Sequence, residues 1–138
     1  MKKIYAVLFI AAFCSSVFAQ SQPATLPTLP AGTNSITTES TMLGFLDTLV
    51  ITPPTSATGT LTVVSSRTGE TILTKTITAK TVVRVRLPTE GATGIAYAGT
   101  SNNVERFYMA NDKLTYRVVE AGPVTGNYNI VTLYVPVR

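Results

Sequence analysis

From Leu43 onward the chain shows no sustained helical period. It runs in short stretches rich in threonine, valine and isoleucine, each stopped by proline, glycine or asparagine. β-Branched residues favour strands, and short runs bounded by turn signals point to antiparallel sheets. In order they are LGFLDTLVI (43–51), stopped by Pro53-Pro54; GTLTVVS (59–65) and TILTKTIT (71–78), joined through SRTGE; TVVRVRL (81–87), stopped by Pro88; GIAYAG (94–99); VERFYMA (104–110) and KLTYRVVE (113–120), joined through Asn111-Asp112; and YNIVTLYVPV (128–137). The fold expected is all-β: an antiparallel β-sandwich, Ig-like or jelly-roll-like, of about eight short strands.

Alternation within the runs assigns faces. In TVVRVRL, Val83, Val85 and Leu87 share one side while Val82, Arg84 and Arg86 share the other. In KLTYRVVE, Leu114, Tyr116 and Val118 face the core, with Arg117 opposite. TILTKTIT places Lys75 beside Leu73 and Ile77, and an inward lysine blunts a sheet edge, so this strand is expected at an edge. The last run is apolar on both sides: Val131, Leu133, Val135 and Val137 on one, Tyr128, Ile130 and Tyr134 on the other. That suits a central strand or one covered by a partner. Tight hairpins are expected at Gly69, which can take a positive φ, and at Asn111-Asp112.

The first 40 residues are different material. Lys2 and Lys3 precede an apolar run from Ile4 to Phe13, and Val17-Phe18-Ala19 closes it. This is the layout of a secretory signal peptide, with cleavage expected between Ala19 and Gln20. The run is shorter than the ~20 residues a membrane span needs, so membrane contact is expected only through an uncleaved signal segment. Cys14, the single cysteine, leaves with residues 1–19; the bulky Phe13 before it suits lipidation poorly. Residues 20–40, with Pro23, Pro27 and Pro30 among small polar residues, are expected as an extended arm or linker. Residues 41–138 form the sandwich domain, and Ile36, Met42 and Leu43 are the apolar anchors through which an arm would dock on a neighbour. Export implies the periplasm, the cell surface or the extracellular space.

The mature 119 residues hold all 24 threonines, no histidine, no tryptophan and, with 9 basic against 7 acidic side chains, a net charge of +2. That is too mild to imply nucleic acid. Without histidine or a mature cysteine, neither a Ser-His-Asp triad nor a thiolate or histidine metal site can form, and no glycine loop of phosphate-binding type is present. Asp47-Thr48 after apolar residues resembles the opening of an aspartic-protease signature, but Leu49 stands where that signature turns on glycine. Asp47 is therefore expected on the exposed face of a strand. No catalytic residue, metal or cofactor is expected.

Two surface patterns remain. Thr74, Thr76 and Thr78 make one hydroxyl row and Thr60 and Thr62 a shorter one, expected as solvated strand faces. Arg84, Arg86, Arg106 and Arg117 would make a cationic patch if their strands are neighbours, and guanidinium forks suit carboxylate, sulfate or phosphate. Over residues 49–97 the course from Pro53-Pro54 through Thr68-Gly69 to Gly94-Ile95-Ala96-Tyr97 resembles the sandwich-type sorting domains that end some secreted bacterial proteins. About 40 residues follow where such a domain should end.

The function expected is that of an exported, non-enzymatic structural or interaction protein, self-assembling or decorating a cell or virion surface, with itself or a surface protein as partner. The alternative is a secreted module binding carbohydrate or another anionic polymer such as polysaccharide, with Tyr97, Tyr108, Tyr116 and Tyr134 available for stacking.

Overall fold

A computed structural model describes residues 18–27, 32–88 and 104–137. The expected signal segment before residue 18, Pro30 and the expected strand 94–99 with Tyr97 lie outside the described residues. The remainder is all-β. Eleven strands run in chain order: β1 (Gln20–Pro27), β2 (Thr33–Thr37), β3 (Met42–Thr52), β4 (Gly59–Ser65), β5 (Thr71–Ile77), β6 (Thr81–Arg84), β7 (Leu87–Pro88), β8 (Val104–Glu105), β9 (Tyr108–Asp112), β10 (Leu114–Glu120) and β11 (Asn127–Pro136). They form a five-stranded sheet in the order β1-β11-β3-β6, with β9 pairing the other end of β3, a four-stranded sheet in the order β2-β10-β4-β5, and a short β7-β8 ribbon.

Every pairing is antiparallel, and the pairings nest: β1 with β11, β2 with β10, β3 with β6 and β9, β4 with β5. The described strands nest as one long hairpin whose tip is the β4–β5 turn. Wrapping it into two layers adds the pairings β11·β3 and β10·β4. This is the double-Greek-key order of a jelly roll, and it decides between the two sandwich types expected.

Between the layers lies one apolar cluster. Leu114, Tyr116 and Val118 of β10 are buried with Arg117 opposite, as their alternation requires; Val85 is 2% exposed and Val83 packs on the core. The side chain of Leu87 lies outside the described residues. The Tyr116 hydroxyl is hydrogen-bonded to Thr132 Oγ1, so the two polar groups buried in the middle of the core satisfy each other across the layers. Burial pushes the Tyr116 phenol up to about 12 despite that bond.

β5 is an edge strand, and its irregular alternation has a cause. The β4 register runs from Val63↔Leu73 to Val64↔Thr71, leaving Ile72 as the extra residue of a bulge. A bulge reverses which side faces inward, so Ile72 and Ile77 are both buried although five positions apart. Lys75, opposite Leu61, is exposed at the inward side of that edge.

Three expectations are corrected. Within the expected arm or linker of residues 20–40, the described residues 20–27 and 33–37 do not stand apart from the sandwich: they are β1 and β2, outer strands, one in each sheet. Pro23 and Pro27 share one parity, so both imide nitrogens can face the free side of β1 while Ala24 and Leu26, of the other parity, serve the side toward β11. Asn111-Asp112 does not close a hairpin. β9 pairs with β3 in one sheet and β10 with β4 and β2 in the other; Asn111 takes φ 54° and turns the chain across the layers. The run 81–87 breaks at Val85-Arg86, with Leu87 already in β7, and the run 104–110 breaks at Arg106-Phe107. There Val85 donates its N–H to the carbonyl of Asp47 and Leu46 donates to that of Phe107, holding both breaks against β3. The Gly69 turn does form, with φ 74° and its N–H donated to the Ser65 carbonyl at 2.9 Å.

Candidate functional site

The two outer faces of the sandwich differ in chemistry. On the five-stranded sheet, cross-strand register aligns outward side chains in rows. One row runs Val82–Val50–Val131–Pro23 and the next Arg84–Thr48–Leu133–Ser21. Further along β3 come Tyr108–Phe45–Val135 and then Ala110–Leu43, beside which Val137 donates its N–H to Leu43. Five of the seven exposed large apolar side chains among the described residues lie on this face: Val82 at 62%, Tyr108 at 47%, Val137, Leu43 and Phe45. The Phe45 and Tyr108 rings pack against each other with centroids 5.2 Å apart and a tilt of 52°, a favourable arrangement that holds both rings in place.

A polar island interrupts the apolar rows. The β11–β3 register steps from Leu133↔Thr48 to Tyr134↔Leu46, so Asp47 is the extra residue of a bulge. Its carboxylate accepts a hydrogen bond from the Thr48 hydroxyl at 2.9 Å, pairs with Arg86 at 3.3 Å and lies 3.9 Å from Arg106 Nε. The Thr48 bond and the two guanidinium groups hold the Asp47 carboxyl below the ordinary aspartate value, against a partial desolvation that acts the other way. Arg86 also donates to the carbonyls of Val85 and Asp47. Arg84 sits across from Thr48, exposed, without a hydrogen bond or ion pair among the described residues.

Three of the four arginines singled out from sequence thus share one face, two of them around the carboxylate of Asp47. Arg117 does not join them: it lies on the outer face of the four-stranded sheet, on the other side of the sandwich. Of the three apolar anchors, Met42 is fully buried and Ile36 packs on the core opposite Tyr116. Both are spent within the chain, and Leu43 alone stays on the surface. Gln20 is the first residue of β1, and its Oε1 accepts the Tyr134 hydroxyl at 2.5 Å; Ala19 precedes it, exposed. Of the tyrosines considered for stacking, Tyr116 is buried, Tyr134 packs on the core, and Tyr108 is exposed.

The outer face of the four-stranded sheet carries hydroxyls. Thr60 stands opposite Thr76 and Thr62 opposite Thr74, while Thr115 is hydrogen-bonded to Thr37 and to Ser66, each at 2.8 Å. The two threonine runs are therefore neighbours, which their separate positions in the sequence do not reveal. Arg117 and Val119 interrupt the array along β10.

A cavity of about 580 Å³ opens between the outer strands β1 and β2, lined by Gln22, Ala24, Ile36, Thr38, Glu39 and Ser40 among others. Its one charged residue is acidic, so it does not suit an anionic ligand. Among the described residues no cluster of three His, Cys, Asp or Glu could hold a metal ion.

The apolar face is not legible in the sequence. Alternation sets Val82 beside Arg84 and Arg86 and gives Phe45 no role, because the rows are made by register between strands far apart in the chain. The one visible signal was the second apolar side of β11, now placed at the centre of that sheet. No protein-family model, no curated protein and no solved structure matches the chain. The class is defined by the strand order alone: a jelly-roll β-sandwich with one apolar and one hydroxyl-bearing outer face.

Proposed function

We propose that this is an exported, non-enzymatic structural protein that acts as a two-sided plate, seated on a cell or virion surface assembly through the outer face of its five-stranded sheet. The observation that carries the reading is the concentration there of Val82, Phe45, Tyr108, Leu43 and Val137. An extended apolar surface of this kind marks a contact region, and the opposite face, rich in threonine, suits solvent. The leader of residues 1–19 supports export.

The test is fractionation of cells producing the full chain, with intact-mass measurement. The expected result is an exported protein beginning at Gln20, associated with the surface fraction, and released from it by Phe45→Asp. A cytoplasmic protein retaining Met1, or one whose fractionation ignores Phe45→Asp, contradicts the proposal.

A second reading has its own observation. Arg86 and Arg106 share the single carboxylate of Asp47 while Arg84, across from Thr48, has none, leaving excess positive charge on the same face as Tyr108. This favours an anionic polysaccharide as ligand. Retention on dextran sulfate that falls with Arg84→Ala but not with Arg117→Ala would support it; equal losses would reduce it to net charge.

A further inference from the structure

We propose that the occupant of this apolar face is a second copy of the chain, seated face to face about a two-fold axis that runs along the strands between β3 and β11. The proposal rests on the reading above, that the face is a contact surface, and adds who makes the contact.

Area is the first argument. Four strands at about 4.8 Å spacing and a β3 of 11 residues at about 3.4 Å each give a face of roughly 700 Å². Two such faces in contact remove roughly 1,400 Å², inside the range of about 1,200–2,000 Å² of stable interfaces. An isologous pair uses one patch twice, so this patch suffices.

The sheet edges give the second argument. Copies could instead add strand to strand, but two edges oppose it. β1 carries Pro23 and Pro27, which have no N–H to donate to an added strand. β5 carries the bulge at Ile72 and the inward Lys75. Face-to-face packing needs neither edge.

Charge placement selects the axis. Arg84, Arg86 and Arg106 all lie on the β6 and β9 side of β3. A two-fold axis across the strands at their level would set like charges against each other. An axis along the strands between β3 and β11 carries each arginine group over β11 and β1 of the other copy instead. Val50 then meets the partner's Val131, Val82 meets the partner's Pro23, and Arg84 lies over the partner's Ser21. The roughly 30° crossing of aligned sheets leaves these rows in register near the axis.

The experiment is sedimentation velocity of the mature chain over a concentration series, with thermal melts alongside. The expected result is twice the chain mass for the wild type, and for Val82→Asp at least a tenfold weaker self-association with an unchanged melt. Should Val82→Asp melt early, Val82→Thr, which keeps the side-chain shape, carries the test with the same direction of effect. A wild type monomeric throughout the series overturns the proposal, as does a dimer indifferent to both Val82→Asp and Phe45→Asp. The two readings separate in the monomeric case. If Phe45→Asp still releases the protein from the surface fraction, the contact-surface reading stands and the second copy alone is rejected; if it does not, both fall.

Discussion

Gly44 is the most tightly confined glycine among the described residues. It lies in β3 at φ +148°, and a Cβ there would sit 2.1 Å from the carbonyl oxygen of Val135 and 2.7 Å from Cα of Pro136, both backbone. Neither atom can swing aside. Gly44→Ala combines overpacking with a backbone conformation that side chains avoid, and is expected to cost about 3 kcal/mol, read as a lower urea midpoint with an unchanged slope. Asp112 is a second such point. Its carboxylate accepts the Ser65 hydroxyl and the backbone N–H groups of Arg67 and Lys113, tying the β4–β5 turn to the corner between β9 and β10. Asp112→Ala orphans these donors and is expected to cost about 2–3 kcal/mol, with Asp112→Asn, which keeps one acceptor oxygen, losing less. Asp47 gives a pH signature. Its carboxyl is held below the ordinary value, so its stabilisation is present above the unfolded-state pKa and is lost as pH falls through the folded one. Thermal melts below about pH 4 should therefore drop faster for the wild type than for Asp47→Asn.

At the scale of elements, the outer strands β1 and β2 matter most. Leu26 of β1 is fully buried, Ile36 of β2 packs on the core, and Asn34 of β2 donates its side-chain amide to the carbonyl of Pro27. A chain starting at Thr41 would uncover β11 on one sheet and β10 on the other. It is expected to lose its cooperative melt, whereas a separable arm would leave the transition unchanged. Proline spacing alone could not separate these cases, because an extended linker and an edge strand with its imide nitrogens outward share the same pattern. The corner at Asn111-Asp112 was legible as a reversal but not as a crossing, since a two-residue turn reads alike whether its arms pair or diverge to facing sheets. The buried side of β10, the edge position of β5 and the central position of β11 were legible, because each depends on alternation within one strand. The bulges at Asp47 and Ile72 were not: the extra residue exists only relative to a partner strand.

For the whole molecule, sandwich architecture followed from short β-branched runs, but jelly-roll order required knowing which strands pair, and the nested pairs join positions as distant as Gln20 and Tyr134. The candidate site was legible only in fragments. Three of four arginines gather, yet the apolar rows that make the face a surface arise from register between β6, β3, β11 and β1. The central claim is that the two outer faces have different tasks, the apolar one seating the molecule. Its most direct test places one charge on each. Phe45→Asp alters the five-stranded face at a residue 38% exposed, and Val119→Asp alters the four-stranded face at one 46% exposed. Light scattering coupled to size exclusion, at matched concentrations of mature protein, should show the assembled mass reduced to that of a single chain by Phe45→Asp and unchanged by Val119→Asp. Equal effects of the two substitutions, or dissociation by Val119→Asp alone, would contradict the assignment of faces.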